Sequence, residues 1–257
     1  GASGESLLKA PALPQAVEDR QSGGMNAVIA ATGVYAPPDS ITNDELVGRI
    51  YDGRYRITEL VGSGGCGGVY LAQQQPLERA VALKVLRPEL AANATVVLRF
   101  QQEARAIAAL SSPHTVRLID FGVAEDGQLY MVMEYLRGES LRDLISRVGP
   151  LSPATTVRLL SQVADSLSEA HTRGIIHRDI KPENLFVSWL HQDQPHVRVL
   201  DFGVARVAGD AGLSLSLTAT GTMLGSPAYM APEQALADQA KIGPATDVYA
   251  MGVVAFE

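Results

Sequence analysis

Two-residue alternation gives way to helical spacing part-way along this chain, which limits it to a sheet-built region followed by a helix-built one. Tyr55, Ile57, Glu59 and Val61 alternate with Arg56, Thr58 and Leu60. Glycines follow, and Val69-Tyr70-Leu71-Ala72 resumes the pattern: strand, turn, strand. Val81-Ala82-Leu83-Lys84-Val85-Leu86 reads as a third strand, with Ala82, Lys84 and Leu86 on one face and Val81, Leu83 and Val85 on the other. Residues 94–110 or so read as a helix with Phe100, Ala104, Ile107 and Ala108 on one stripe. Val116 to Ile119 and Leu129 to Met133 complete five strands. Ser152-Pro153 then opens a helix, with proline in its first turn. Val157, Leu160, Val163, Ala164, Leu167 and His171 are its expected apolar face, and Gly174 ends it.

With 257 residues, 46% of them apolar, the chain can build one two-lobed domain with a sizeable core. Residues 1–50 are rich in Ala, Gly, Pro, Ser and Asp without a sustained period, and read as a flexible tail. The net charge of −7, with no run of Lys or Arg, argues against general nucleic-acid binding. One cysteine, Cys66, allows no internal disulfide and suits a reducing cytosol, so the expected localisation is cytoplasmic. No run of 18 apolar residues and no signal peptide occur, so no membrane segment is expected within this chain.

The chemistry concentrates in His177-Arg178-Asp179-Ile180-Lys181-Pro182-Glu183-Asn184, which holds an acid, a cation and an amide at spacings that suit phosphoryl transfer. Asp201-Phe202-Gly203 adds a second carboxylate on a glycine hinge. Upstream, Gly62, Gly64, Gly67 and Val69 fill the pattern G-x-G-x-x-G-x-V, where absent Cβ atoms let backbone N–H groups approach phosphate oxygens. Alone, that loop suits a glycine-rich hairpin equally well. It is not a Walker A loop, because Gly68-Val69 stands where Lys-Ser/Thr is required. Lys84 lies on a strand face with Ala82, where a charge is costly unless paired. Glu103, in the expected helix, could pair with it; in isolation both read as surface residues.

These four motifs, in this order, resemble the eukaryotic-type (Hanks-type) serine/threonine protein kinases of bacteria, and the resemblance runs from about Tyr55 to Glu257. It implies an α+β, two-lobed fold: a small lobe of five antiparallel strands plus one helix over 55–136, and a mainly helical, incomplete large lobe over 137–257. It implies ATP and Mg²⁺ as cofactors. Asp179 would be the catalytic base, Lys181 would neutralise the transferring phosphoryl group, and Lys84 and Glu103 would act as a pair. Asn184 and Asp201 would hold the metal. Val61, Gly62, Ser63, Gly64, Gly67, Val69, Ala82, Lys84, Glu134, Leu136 and Leu185 would contact the nucleotide. Lys181 and the segment Gly225-Ser226-Pro227-Ala228-Tyr229 resemble the Ser/Thr class, so the implied partners are proteins presenting Ser or Thr. Thr218 and Thr220 resemble an autophosphorylated pair, with self-association in trans, and Arg178 would pair with the phosphate.

Other residues are weighed against plainer readings. Asp120-Phe121-Gly122 repeats the metal tripeptide but precedes the catalytic loop, and reads as a strand-end turn on the far side of the small-lobe sheet. His191, Asp193 and His196 have metal-ligand spacing but read as a solvated loop, and His171 as a packed core histidine. Asp247-Val248-Tyr249-Ala250-Met251-Gly252 matches the start of a buried central helix, with Val248, Met251, Val253, Val254 and Phe256 expected to need cover from elements that follow in the family. Two competing readings are a kinase-like binding module, inactive as this fragment, and a small-molecule phosphotransferase. The first usually lacks one of the five site residues present here; the second lacks Ala231-Pro232-Glu233.

Overall fold

The computed structural model describes residues 46–63, 67–125, 127–191, 194–202 and 227–257. Gly64, Cys66, Asp193, Thr218, Thr220 and most of the expected tail lie outside them.

The first lobe is an antiparallel sheet of six strands: β1 (Ile50–Tyr51), β2 (Tyr55–Ser63), β3 (Gly67–Gln74), β4 (Arg79–Leu86), β5 (Leu118–Val123) and β6 (Leu129–Glu134), in the order β1-β2-β3-β4-β6-β5. Five strands were expected, beginning at Tyr55. The sixth, β1, arises because Asp52-Gly53 turns the chain with φ of 48° and 62°, so that Ile50 and Tyr51 pair with Arg56 and Tyr55. Asp52, Gly53 and Arg54 make the three-residue connection, closed by Arg54 N–H to Tyr51 O at 3.1 Å. Residues 46–50, expected in the tail, are tied on by Gly48 N–H to Ile57 O (2.9 Å) and Ile57 N–H to Arg49 O (2.9 Å).

The alternation of β4 separates two cores. Ala82 and Leu86 pack with Phe100, Ala104 and Ile107, whereas Val81, Leu83 and Val85 join Tyr55, Tyr70 and Tyr130 on the outer face. A short helix, α1 (Pro88–Ala91), precedes α2 (Ala94–Ala108), so two helices accompany the sheet rather than one. Asn93 caps α2 by accepting from Thr95 N and Val96 N (3.0 and 3.3 Å). Ala108, placed on the apolar stripe by sequence, is exposed; Glu103 and Ala106 are buried instead. Asp120-Phe121-Gly122 is not a turn. It lies within β5, with Asp120 accepting from Tyr55 Oη (2.6 Å) and Arg54 Nη1 (2.8 Å) beside the outer core.

Beyond Leu136 come β7 (Glu139–Ser140), α3 (Leu141–Val148), α4 (Pro153–Thr172), the hairpin β8 (Leu185–His191) and β9 (Gln194–Val199), α5 (Pro232–Ala235) and α6 (Pro244–Phe256). Ser140 and Ser152 cap α3 and α4 through Asp143 N (3.1 Å) and Thr155 N (3.2 Å), and Gly174 follows α4 at φ 72°. The buried face of α4 is Leu159, Val163, Ser166, Leu167 and Ala170. Val157 is 65% exposed and Ala164 is exposed, so the expected face is rotated. α4 packs on β9 and α6, and Ser166 on its buried side is bonded to Thr115 at 2.6 Å. On α6, Ala250 and Val254 are buried, Met251 and Val253 half-buried, and Val248 and Phe256 exposed.

Candidate active site

The cleft between the lobes gathers most of the residues singled out by sequence. The Lys84 ammonium, on the α2 face of β4, lies 2.8 Å from Glu103 Oε1 and 2.9 Å from Asp201 Oδ1. Burial would strip the ammonium of its proton, but Asp201 and Glu103 hold it well above the ordinary lysine value. Burial also pushes the Glu103 carboxyl up to about 7, against the pull of Lys84. Burial works on Asp201 in the same sense, yet Lys84 beside it keeps this carboxyl below the usual range. One cation thus serves two carboxyl groups, of which Asp201 is the one held ionised.

Facing this trio, the loop 177–184 is organised by its own side chains. Asn184 Nδ2 donates to Asp179 O (2.7 Å) and Asp179 Oδ2 (3.1 Å), and Lys181 Nζ reaches Asp179 Oδ2 at 3.1 Å. His177 is fully buried against the Phe202 ring at 4.8 Å. Its Nδ1 accepts from Asp179 N (3.3 Å), which leaves Nε2 to donate to Leu200 O (2.9 Å). Arg178 sits at φ 65° and Asp201 at φ 43°, a left-handed region that residues with a Cβ seldom adopt.

The device that holds this strained loop was missed by sequence reasoning. Asp247 on α6 is almost completely buried and accepts from His177 N (2.9 Å), Arg178 N (2.8 Å) and His171 Nε2 (2.7 Å). His171 is therefore a half-buried partner of Asp247 rather than a packed core histidine. Gln234 Nε2 donates to Arg178 O (2.8 Å), and Glu233 accepts from Thr246 Oγ1 (2.7 Å). A carboxylate heading an otherwise apolar helix, in Asp247-Val248-Tyr249-Ala250, was the available signal.

Val61, Val69, Ala82, Leu136 and Leu185 fall in one buried apolar cluster with Met131 and Met133, contributed by β2, β3, β4, β6, β8 and the link between lobes. Glu134 stands at the end of β6, its Oε1 accepting from Arg117 N (2.9 Å) and Arg198 Nε (3.3 Å). Gly62 and Ser63 end β2, and Gly67 opens β3. Gly67 has a structural reason as well: a Cβ there would lie 1.8 Å from Val85 O.

The donor set fits a hard divalent cation. Among the described residues, Asn184 Oδ1 is a buried acceptor with no hydrogen-bond partner, and Asp201 brings a carboxylate to the same cleft. By contrast, His196 is not part of a solvated loop. It lies in β9, its ring 4.7 Å from that of His114 and its Nε2 3.1 Å from Pro113 O.

Residues 55–257 match the protein kinase domain family. The chain belongs to the protein kinases. It is 42% identical over 214 residues to the serine/threonine-protein kinase pkn3 of Myxococcus xanthus, covering 83% of this chain and 39% of that protein. It is 41% identical over 207 residues to PknB of Mycobacterium tuberculosis (79% and 32%), and 37% identical over 212 residues to PrkC of Bacillus subtilis (82% and 31%). The chain thus spans only about a third of the length of these kinases. Among solved structures, the Mycobacterium tuberculosis PknI kinase domain superposes with a TM-score of 0.61 at 29% identity, covering 81% of this chain and 74% of that one. The α+β kinase fold follows from both comparisons.

Proposed function

We propose that this chain carries the catalytic machinery of an ATP- and Mg²⁺-dependent protein serine/threonine kinase. The observation that carries the reading is the Lys84 ammonium bonded to Glu103 and Asp201 together, opposite an Asp179–Asn184 pair whose amide oxygen has no partner among the described residues. The apolar cluster of Val61, Val69, Ala82, Leu136 and Leu185 would offer an adenine ring its apolar contacts, with the backbone of Glu134 and Leu136 at its edge. Gly62, Ser63, Gly64 and Gly67 would lie over the phosphates.

Asn184 Oδ1 and Asp201 would hold Mg²⁺, which neutralises charge on the phosphate oxygens when bound. Lys84, kept charged by its neighbours, orients the same phosphates. Glu103 keeps Lys84 extended toward them. Asp179, steadied by Asn184 and Lys181, receives or orients the acceptor hydroxyl proton. Lys181 offsets charge on the moving phosphoryl group.

Acceptors would be Ser or Thr of proteins, among them Thr218 and Thr220 of a second copy, with Arg178 the cation that would meet the new phosphate. No helix among the described residues is long and apolar enough to cross a membrane. A cytoplasmic setting agrees with the use of ATP and with the lone cysteine. Incubation with γ-labelled ATP and Mg²⁺, followed by phosphosite mapping, tests the reading. Labelled Ser/Thr in the wild type and none in Asp179→Asn supports it. Nucleotide binding without transfer would favour a binding module.

A further inference from the structure

One charged cluster outside the nucleotide site stands beside the loop that bears Asp179. Arg142, on α3, donates from Nε to Glu183 Oε1 (3.1 Å), from Nη2 to the Tyr229 hydroxyl, and from Nη1 and Nη2 to the Glu257 carboxylate. Glu183 immediately precedes Asn184, whose amide holds Asp179. Tyr229 closes the turn Pro227–Tyr229, just ahead of Gln234, which holds Arg178. The cluster therefore lies between two segments that flank the place where an acceptor hydroxyl must come.

It is accessible to another chain. The side chains of Arg142, Glu183 and Glu257 keep 32%, 24% and 30% of their surface exposed. Its charges are two carboxylates against one guanidinium, with a phenol beside them. Among the described residues Glu183 Oε2 is buried without a hydrogen-bond partner, so the guanidinium does not exhaust the acceptors. Without Arg142, two carboxylates and a phenol would surround a space of guanidinium size, which is the chemistry of a site for an arginine or lysine side chain.

We propose that Arg142 determines acceptor specificity by filling this acidic pocket from within the chain. An arginine or lysine near the acceptor Ser or Thr then finds its counter-charges already occupied, and neutral or acidic neighbours are accepted as readily. This rests on the kinase reading above. The ion pair selects against basic acceptors because a second cation could enter only by displacing Arg142 and leaving it buried beside a like charge.

The test uses acceptor peptides built around one threonine, with a single Arg or a single Glu walked through the flanking positions. Against the wild type, no Arg peptide should exceed the parent peptide by more than about threefold in kcat/KM. Arg142→Met keeps the apolar stem but not the charge, and at least one Arg peptide should then gain about tenfold or more. Adding Glu183→Gln should remove that gain. An unchanged profile in Arg142→Met overturns the proposal, as does a gain that survives Glu183→Gln. Should no peptide be phosphorylated by any form, the kinase reading fails separately. Fluorescence anisotropy with the same labelled peptides then decides: tenfold tighter binding of an Arg peptide to Arg142→Met supports the pocket, and equal Kd values refute it. Arg142→Gln provides the same comparison if Arg142→Met does not fold.

Discussion

Lys84 answers to two carboxylates at once, so its substitution cannot be read alone. Lys84→Met and Glu103→Ala each break one buried arrangement, and the second loss should add little to the first. A double-mutant cycle on ATP affinity is expected to show coupling of about 1 kcal/mol or more; simple additivity would mean the 2.8 Å contact is idle. Asp179→Asn should lower turnover by about 10²–10⁴ and leave ATP affinity nearly unchanged, because Asp179 is bonded to Asn184 and Lys181 and lies outside the apolar cluster proposed for the adenine. Gly67 separates a structural role from a binding role. With a Cβ 1.8 Å from Val85 O, Gly67→Ala must push β3 from β4, so a loss of roughly 2–4 kcal/mol is expected in a nucleotide-free melt. A glycine needed only for phosphate contact would leave that melt unchanged. The pattern G-x-G-x-x-G-x-V revealed the glycine but not this second reason, which depends on the register of a neighbouring strand.

At the scale of elements, α6 does more for the site than its apolar sequence suggests. Its Asp247 accepts two backbone N–H groups of the strained 177–184 loop, and the rest of the helix carries Ala250 and Val254 into the core. Asp247→Ala would strand both buried donors, at about 1–3 kcal/mol each. A destabilisation of roughly 2–5 kcal/mol is therefore expected, with kcat falling further than KM rises; Asp247→Asn, which keeps one acceptor oxygen, should lose less. Urea unfolding beside steady-state kinetics checks both. Elements of strong period were legible: β2, β3, β4, α2 and α4 stand where alternation and helical spacing put them. Their faces were less so. Val157 and Ala164 satisfy a helical stripe as well as Leu159 and Ala170 do, and only Thr115 and β9, arriving from elsewhere in the chain, select the stripe that is buried.

For the whole molecule, the two lobes are tied at the loop between α2 and β5. Glu169 on α4 accepts from Ser111 N (3.0 Å) and Ser112 N (2.7 Å), and the His114 ring packs at a tilt against His196 of β9. Burial, then Arg198, then His114 push the His196 imidazole down to about 4. Free imidazole titrates near 6.5, so the folded state favours the neutral ring. The contribution is complete above about pH 6.5 and is lost as pH falls toward 4. Melts from pH 7 to 5 should show Tm falling more steeply in the wild type than in His196→Gln; parallel curves would rule this out. His196 also shows why its role was unreadable: its spacing from His191 resembles a ligand pattern, while its partner is a distant histidine across the lobe boundary. The sequence by itself determined the order of strand and helix and the two faces of β4, and it singled out Lys84, Glu103, Asp179, Asn184 and Asp201 as candidates, because periodicity and motif spacing are local. Only the tertiary structure decided that Asp247 holds the loop, that Arg142 reaches Glu183, Tyr229 and Glu257, and that Asn184 Oδ1 meets no donor among the described residues. Those facts depend on which distant groups come within hydrogen-bond distance after packing, and no local spacing encodes that.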